Sequence, residues 1–262
     1  MSDSPAWIAQ IAHTIEHIDD KGFFAALSAM LRAVVPYSYT VVFAYRDQEQ
    51  PLDLFDDFPA AKRRIFVTDY QAGPYLLDPF YLGSRKPLPA GLFRLKDVAP
   101  DRFYQGEYFR NYYVRTGLAE EIGYFTNLPD GIMVVLSLMR AESPFTTREF
   151  RLLSAAQPVV SALLRRHLAD LPQRMQSDQR PDRPTEIDQA FQNFGGTLLT
   201  PREREVVEFT LKGHSAEAIG GILTIAPGTV RIHRRNIYAK LRINSQGELF
   251  SRFIHTLAAP KR

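Results

Sequence analysis

Three groups of side chains in this sequence have the types and spacing that chemistry requires. In "HTIEH", His13, Glu16 and His17 stand as H-x-x-E-H, which on a helix sets two imidazoles and a carboxylate close together, a pattern able to hold zinc with the glutamate as base. No third ligand stands out downstream, and no Gly-rich phosphate loop or G-x-S-x-G occurs. The competing reading is a helix whose apolar side is Trp7, Ile8, Ile11, Ile15 and Ile18. In "PGTVRIHRRNIYAKLRI", residues 227–243, Arg231, Arg234, Arg235, Lys240 and Arg242 alternate with Val230, Ile237 and Leu241. Forked guanidinium donors in such a row suit phosphates and guanine edges; a solvated helix face is the competing reading. Residues 66–113 are crowded with aromatics, among them Phe66, Tyr70, Tyr75 and Phe93, and carry Asp78 in "YLLDPFY". Aromatic walls with a carboxylate suit a small, mostly apolar ligand bearing an amine or amide donor, while core packing accounts for more than half of these rings.

The elements that must position these groups fall into two domains, the natural expectation for 262 residues. The sequence has no cysteine, which removes disulfides, thiolate zinc and iron–sulfur clusters and suits a reducing compartment. The first residues lack a signal peptide's basic and apolar regions, and no stretch approaches the roughly 18 apolar residues of a membrane span. A cytoplasmic protein with no membrane partner, no metal and no cofactor is expected. The net charge of +3 is unevenly spread: residues 195–262 carry 11 Lys or Arg against 5 Asp or Glu, and the remainder is acidic. A basic small part beside an acidic large part points to a polyanion partner for the former. Between them, 169–194 carries Pro172, Pro181 and Pro184 among polar residues and is expected to be a linker, with a short helix possible from Glu186 to Phe194. The expected boundaries are 1–168, 169–194 and 195–262.

After the linker the start and stop signals come quickly. Thr200, Pro201 and Glu203 form a capping box with proline at the first helical position, and Gly213 suits a left-handed stop. Ser215 caps a helix of about two turns with Ala218, Ile219, Ile222 and Leu223 on its apolar face. Ala226 and Pro227 open the basic helix, and Ser245 with Glu248 opens a last one. In the basic helix Val230, Ile237 and Leu241 share one face and Arg231, Arg234, Arg235 and Tyr238 the other. Two helices joined by the tight "TIA", the second apolar inside and basic outside, make a helix-turn-helix, in which one helix braces and the other enters the major groove.

Leu199, Thr200, Arg202, Glu203, Glu205, Val206, Gly213, Ile219, Leu223, Ile225, Thr229, Val230, His233, Ile237, Lys240 and Leu241 match in order and spacing the LuxR-type helix-turn-helix domain of bacterial transcription regulators (the LuxR/FixJ superfamily). The resemblance covers about a quarter of the chain. It implies a four-helix domain that binds double-stranded DNA, with its third helix in the major groove and its last helix pairing two subunits. Position by position it implies that Arg231, Ile232 and Arg235 face bases, that Thr229, Arg234 and Lys240 touch phosphates, and that His233 lies near the backbone. Two features depart from the family pattern. Ala226 forfeits the usual serine cap, worth about 1 kcal/mol, and Gly220 and Gly221 each cost about 1 kcal/mol of helix propensity. Leu249, Phe250, Phe253 and Ile254 give the last helix more apolar surface than so small a domain hides, so they are expected to pair two copies, with a core role for some of them as the competing reading. A homodimer would read inverted half-sites about one turn of DNA, roughly 10 bp, apart.

Residues 1–168 read as an α+β sensor: two helices, the β-rich "SYTVVFAYR", a hairpin across "PDG" in "GYFTNLPDGIMVVLSLMR", and a long amphipathic helix from "TTREF". An antiparallel sheet flanked by helices ahead of a DNA-binding domain resembles the GAF/PAS-like sensors of LuxR-type regulators. A phosphorylated receiver is not expected, because Asp56 and Asp57 lack the surrounding β/α alternation. The order Phe66, Tyr70, Asp78-Pro79, Phe93 echoes the Trp, Tyr, Asp-Pro, Trp pocket of acyl-homoserine-lactone receptors. Phenylalanine stands at both tryptophan positions, however, and has no N–H for a lactone carbonyl, so a different ligand is expected. Phe66, Tyr70, Tyr75, Asp78 and Phe93 are the candidate ligand residues. The function expected is a small-molecule-controlled regulator, with RNA polymerase as a possible further partner. The alternatives are control by a protein partner or by abundance and, more remotely, a zinc hydrolase.

Overall fold

A computed structural model describes residues 4–46, 49–84, 89–111, 113–177, 191 and 194–258. The helices are α1 (Ser4–Glu16), α2 (Phe23–Val34), α3 (Ala60–Arg63), α4 (Pro79–Ser84), α5 (Leu95–Val98), α6 (Glu107–Asn111), α7 (Thr147–His167), α8 (Leu171–Ser177), α9 (Pro201–Leu211), α10 (Ala216–Leu223), α11 (Pro227–Leu241) and α12 (Gln246–Ala258). The strands are β1 (Tyr39–Arg46), β2 (Leu52–Asp56), β3 (Gly91–Arg94), β4 (Glu120–Asn127) and β5 (Ile132–Arg140). Two compact units result. One takes Met1–Arg63, Gly83–Val98 and Leu118–Pro181; the other takes Arg64–Leu82, Ala99–Gly117 and Asp182–Arg262.

The first unit is built on a five-stranded sheet in the order β2-β1-β5-β4-β3, antiparallel at every pairing. Its strands are rich in the β-branched and aromatic residues that fit a pleated, buried surface. The turn between β4 and β5 places Asp130 and Gly131 at φ +58° and +70°, conformations that the Asp-Gly pair of the expected hairpin tolerates. Because side chains alternate along a strand, Val42, Ala44, Tyr124, Val134 and Leu136 share one face. That face packs against Leu27, Met30 and Leu31 of α2 and Leu153, Val160 and Leu164 of α7. The expected antiparallel sheet with flanking helices is therefore present.

Two polar contacts anchor this core to its helices. The buried Tyr124 hydroxyl donates to the Leu153 carbonyl at 2.7 Å. A capping box between Thr146 and Glu149 starts α7, and the Arg140 guanidinium holds the Glu149 carboxyl down to about 2. Beyond α7, part of the segment expected to be a linker is helical. Leu171 and Met175 of α8 are buried in the same core, and Arg46 donates to the Met175 carbonyl at 2.9 Å. The short helix expected from Glu186 to Phe194 lies mostly outside the described residues.

In the second unit the cap signals act as the sequence suggests. Thr200 and Glu203 close a reciprocal capping box on α9, and the Ser215 hydroxyl accepts the Ala218 N–H at 3.0 Å to start α10. Ser245 caps the Glu248 N–H, but the Glu248 carboxylate returns to the Asn244 N–H rather than to Ser245. Ala226 provides no side-chain cap, and Pro227 stands in the first turn of α11.

The two unusual glycines of α10 differ. A Cβ on Gly220 would lie 2.7 Å from the Ile225 carbonyl oxygen, whereas one on Gly221 would meet nothing within 4 Å. Gly220 is thus required for the tight approach of the "TIA" turn, and Gly221 only weakens the helix. Urea denaturation is expected to show Gly221→Ala stabilising by about 1 kcal/mol and Gly220→Ala destabilising. Equal effects would contradict this assignment.

Candidate functional site

The basic helix α11 presents the amphipathic faces read from its spacing. Val230, Ile237 and Leu241 are buried, which fixes the rotation of the helix and turns Arg231, Ile232 and Arg235 outward. Ile232 is 50% exposed. Thr229, at the N-terminal end, is exposed as well, and His233 is half-buried.

Several of the charged groups have partners within the chain. Arg231 pairs with Glu217 of α10 at 2.5 Å, both side chains being more than half exposed, so solvent screens the pair and makes it exchangeable. Arg234 is turned sideways: its guanidinium donates to Thr210 Oγ1 at 3.1 Å and to the His214 carbonyl at 3.0 Å. Lys240 reaches Glu203 at 2.6 Å. Burial works against the Glu203 charge, but the hydrogen bonds from Lys240 and Thr200 leave its carboxyl below the ordinary value. Two of the expected phosphate contacts, Arg234 and Lys240, thus also brace α11 against α9 and the turn that follows it. The sequence did not reveal these partners, which lie 24 and 37 residues away.

The last helix departs from expectation. Leu249, Phe250 and Phe253 are buried within the chain, and Phe253 stacks on Phe191 at 4.5 Å and meets Phe194 edge-on at 5.6 Å. Of the four residues expected to pair two copies, only Ile254 is half-open. Phe191 and Phe194, read as one side of a separate short helix, supply the cover that the four-helix count left out.

Among the candidate ligand residues, Phe66, Tyr70, Tyr75 and Asp78 belong to the second unit and Phe93 to the first. Phe66 lies on a π-helical turn, Arg64–Asp69, a distortion that often marks functional positions. The Tyr70 hydroxyl donates to Asp78 Oδ2 at 2.5 Å, and Asp78 Oδ1 accepts the Phe80 N–H at 2.9 Å. Tyr75 meets Tyr70 at 6.1 Å and Tyr81 edge-on at 5.1 Å. Phe93 is half-buried on β3, opposite Gly123 and edge-on to Phe125 at 5.3 Å.

Asp78 keeps a small opening to solvent, but dense packing round its carboxyl pushes its pKa up to about 6, overriding the hydrogen bonds from Tyr70 and Phe80, which act the other way. Between its ordinary value of 3.8 and about 6, the folded chain holds a proton that the unfolded chain has released. Stability therefore falls as pH rises through that window. Asp78→Asn is expected to flatten this part of the curve and to gain on the order of 2 kcal/mol at pH 7 relative to the parent; identical slopes from pH 4 to 6 would contradict the assignment.

For the zinc reading of His13, Glu16 and His17, no group of three or more metal-capable side chains occurs among the described residues; His17 Nδ1 lies 3.0 Å from Asp20 Oδ2. Nor is any described helix long and apolar enough to cross a membrane.

Comparison with known proteins adds the family. The model of bacterial regulatory proteins, luxR family (GerE), matches residues 197–253. A protein of Aeromonas salmonicida described as an HTH-type transcriptional regulator in the exeN 3'region is 37% identical over 190 residues, covering 70% of this chain and 96% of that one. The monoamine regulon transcriptional regulator of Klebsiella aerogenes is 28% identical over 145 residues, 55% of this chain and 54% of its own length. The crystal structure of the VqsR LBD domain from Pseudomonas aeruginosa superposes with a TM-score of 0.54 at 28% identity, covering 63% of this chain and 97% of that one. These relatives are regulators rather than enzymes, which sets the hydrolase alternative aside. The chain belongs to the LuxR family of bacterial transcription regulators.

Proposed function

We propose that this regulator reads DNA in sequence through α11 and is controlled by a small molecule held at Phe66, Tyr70, Tyr75 and Asp78. Arg231 and Arg235 take guanine edges, Ile232 packs on a thymine methyl group, and Thr229, His233, Arg234 and Lys240 touch or approach the backbone. Arg231 gives up Glu217 to do so. It acts as a homodimer on inverted half-sites about 10 bp apart. Leu249, Phe250 and Phe253 are engaged within the chain, so pairing through α12 uses Ile254 and its exposed neighbours, and RNA polymerase is a further partner. Cytoplasmic location follows from this role. The domain division 1–168, linker 169–194 and 195–262 is kept as the functional one.

The observation that carries ligand control is the Tyr70–Asp78 pair inside an aromatic cluster. A carboxylate that costs stability in its own fold is the group a function retains. It selects a mostly apolar molecule with an amine or amide donor. The test is a thermal-shift screen of such compounds against the parent and Asp78→Ala. A compound at about 100 times its Kd stabilises by about 2.7 kcal/mol, and that gain is expected to vanish in Asp78→Ala. A broad set with no shift would instead favour control by a protein partner or by abundance.

A further inference from the structure

Among the basic groups of the second unit, Arg102 has its backbone held tightly while its side chain stays outside. Its N–H donates to the Gly213 carbonyl at 3.0 Å. Gly213 sits at φ +93°, and a Cβ there would lie 3.0 Å from the Phe103 Cα, so only glycine admits this approach. The preceding residue is fastened as well, the Ser215 N–H donating to Asp101 Oδ1 at 3.0 Å. Arg102 itself is exposed, and among the described residues no carboxylate forms an ion pair with it. An arginine fixed at its root and unpaired at its tip is available to an anion from outside the chain.

Two neighbouring carbonyls join this arginine to the basic helix. Gly213 accepts the Arg102 N–H, and His214 accepts the Arg234 guanidinium at 3.0 Å. A residue of the segment 99–117 and a residue of α11 are thereby tied to adjacent points of one turn. Burial is the first cause that lowers the Arg234 guanidinium below its ordinary value; Arg102 and Arg231 act in the same direction, against Tyr238 and Glu217. Like charges held near one another gain when an anion approaches both. Because Arg231, Ile232 and Arg235 stay exposed on α11, the anion that fits this extension is the backbone of the duplex they face. We propose that Arg102 is a DNA-backbone contact supplied from outside the helix-turn-helix: it takes a phosphate beside the one that Arg234 touches, and 99–117 thereby widens the DNA-binding face. This rests on the reading of α11 as the DNA-contacting helix, but not on the ligand site.

The test uses the full chain and labelled duplexes of about 40 bp in two unrelated sequences, whose binding is dominated by phosphate contacts. Fluorescence anisotropy is expected to show Arg102→Ala binding about three- to ten-fold more weakly than the parent on both duplexes, with a salt slope shallower by about one phosphate. Arg102→Lys keeps the charge and is expected to lie nearer the parent than Arg102→Ala. Arg148→Ala removes the same charge at an exposed position of α7 and is expected to match the parent. Unchanged affinity and slope for Arg102→Ala, with Arg235→Ala weakened, overturns the contact alone. So does a loss of equal size from Arg148→Ala, or from Arg102→Lys. Binding unchanged in both Arg102→Ala and Arg235→Ala, or absent in the parent, overturns the reading of α11 and the contact with it.

Discussion

Replacing Phe253 by alanine is expected to cost about 3–5 kcal/mol of unfolding free energy, the usual penalty for emptying a large aromatic site in a core. Phe253 is fully buried and packed between Phe191 and Phe194, so truncation leaves a cavity that two rings on one short segment are poorly placed to refill. The result also separates two roles. If Phe253 serves its own subunit, the loss appears as a lower urea midpoint at every protein concentration. If it serves a partner subunit, the loss appears as a weaker dimer and depends on concentration. The burial predicts the first. A Phe253→Ala chain as stable as its parent when dilute, but dissociated in sedimentation, would return the residue to the interface.

The second large effect belongs to α11. Arg235→Ala is expected to weaken binding to a selected operator about ten- to a hundred-fold, the worth of one bidentate guanine contact, and to relax preference at a single base position. Its stability should stay within about 0.5 kcal/mol of the parent, because the side chain is exposed. Lys240→Ala should behave otherwise. Lys240 partners the buried Glu203, so its loss strands a charge and lowers stability together with affinity for all sequences. Denaturation and competition binding on the same preparations check both. A uniform loss across sequences for Arg235→Ala would place that residue on phosphate.

How much of this was legible in the sequence follows from the range of each interaction. Caps act within three residues, so Thr200–Glu203 and Ser215–Ala218 announce their helices directly. The face of α11 follows from helical period alone. Tyr70 and Asp78, singled out by type, lie eight residues apart and share a hydrogen bond. What was not legible is long-range. Nothing near Asp101 announces a partner 114 residues away, and Gly213 reads as an ordinary helix stop although a close backbone approach also requires it. The polar composition of 169–194 suggests a linker, yet two apolar residues, Leu171 and Met175, suffice to anchor α8 once a core is within reach. The apolar stripe of α12 has the pattern of a dimer surface, and only the position of Phe191 and Phe194 reveals that it is already covered.

The proposed regulator reads DNA and answers to a small molecule. Its most direct test is selection of the full chain on a pool of random duplexes, with and without a small-molecule fraction of cell extract, followed by sequencing of the retained DNA. The prediction is an inverted repeat with half-sites about 10 bp apart, retained to a different extent when the fraction is present. The same repeat retained equally in both would contradict control by a small molecule, and no enrichment in either would contradict sequence reading by α11.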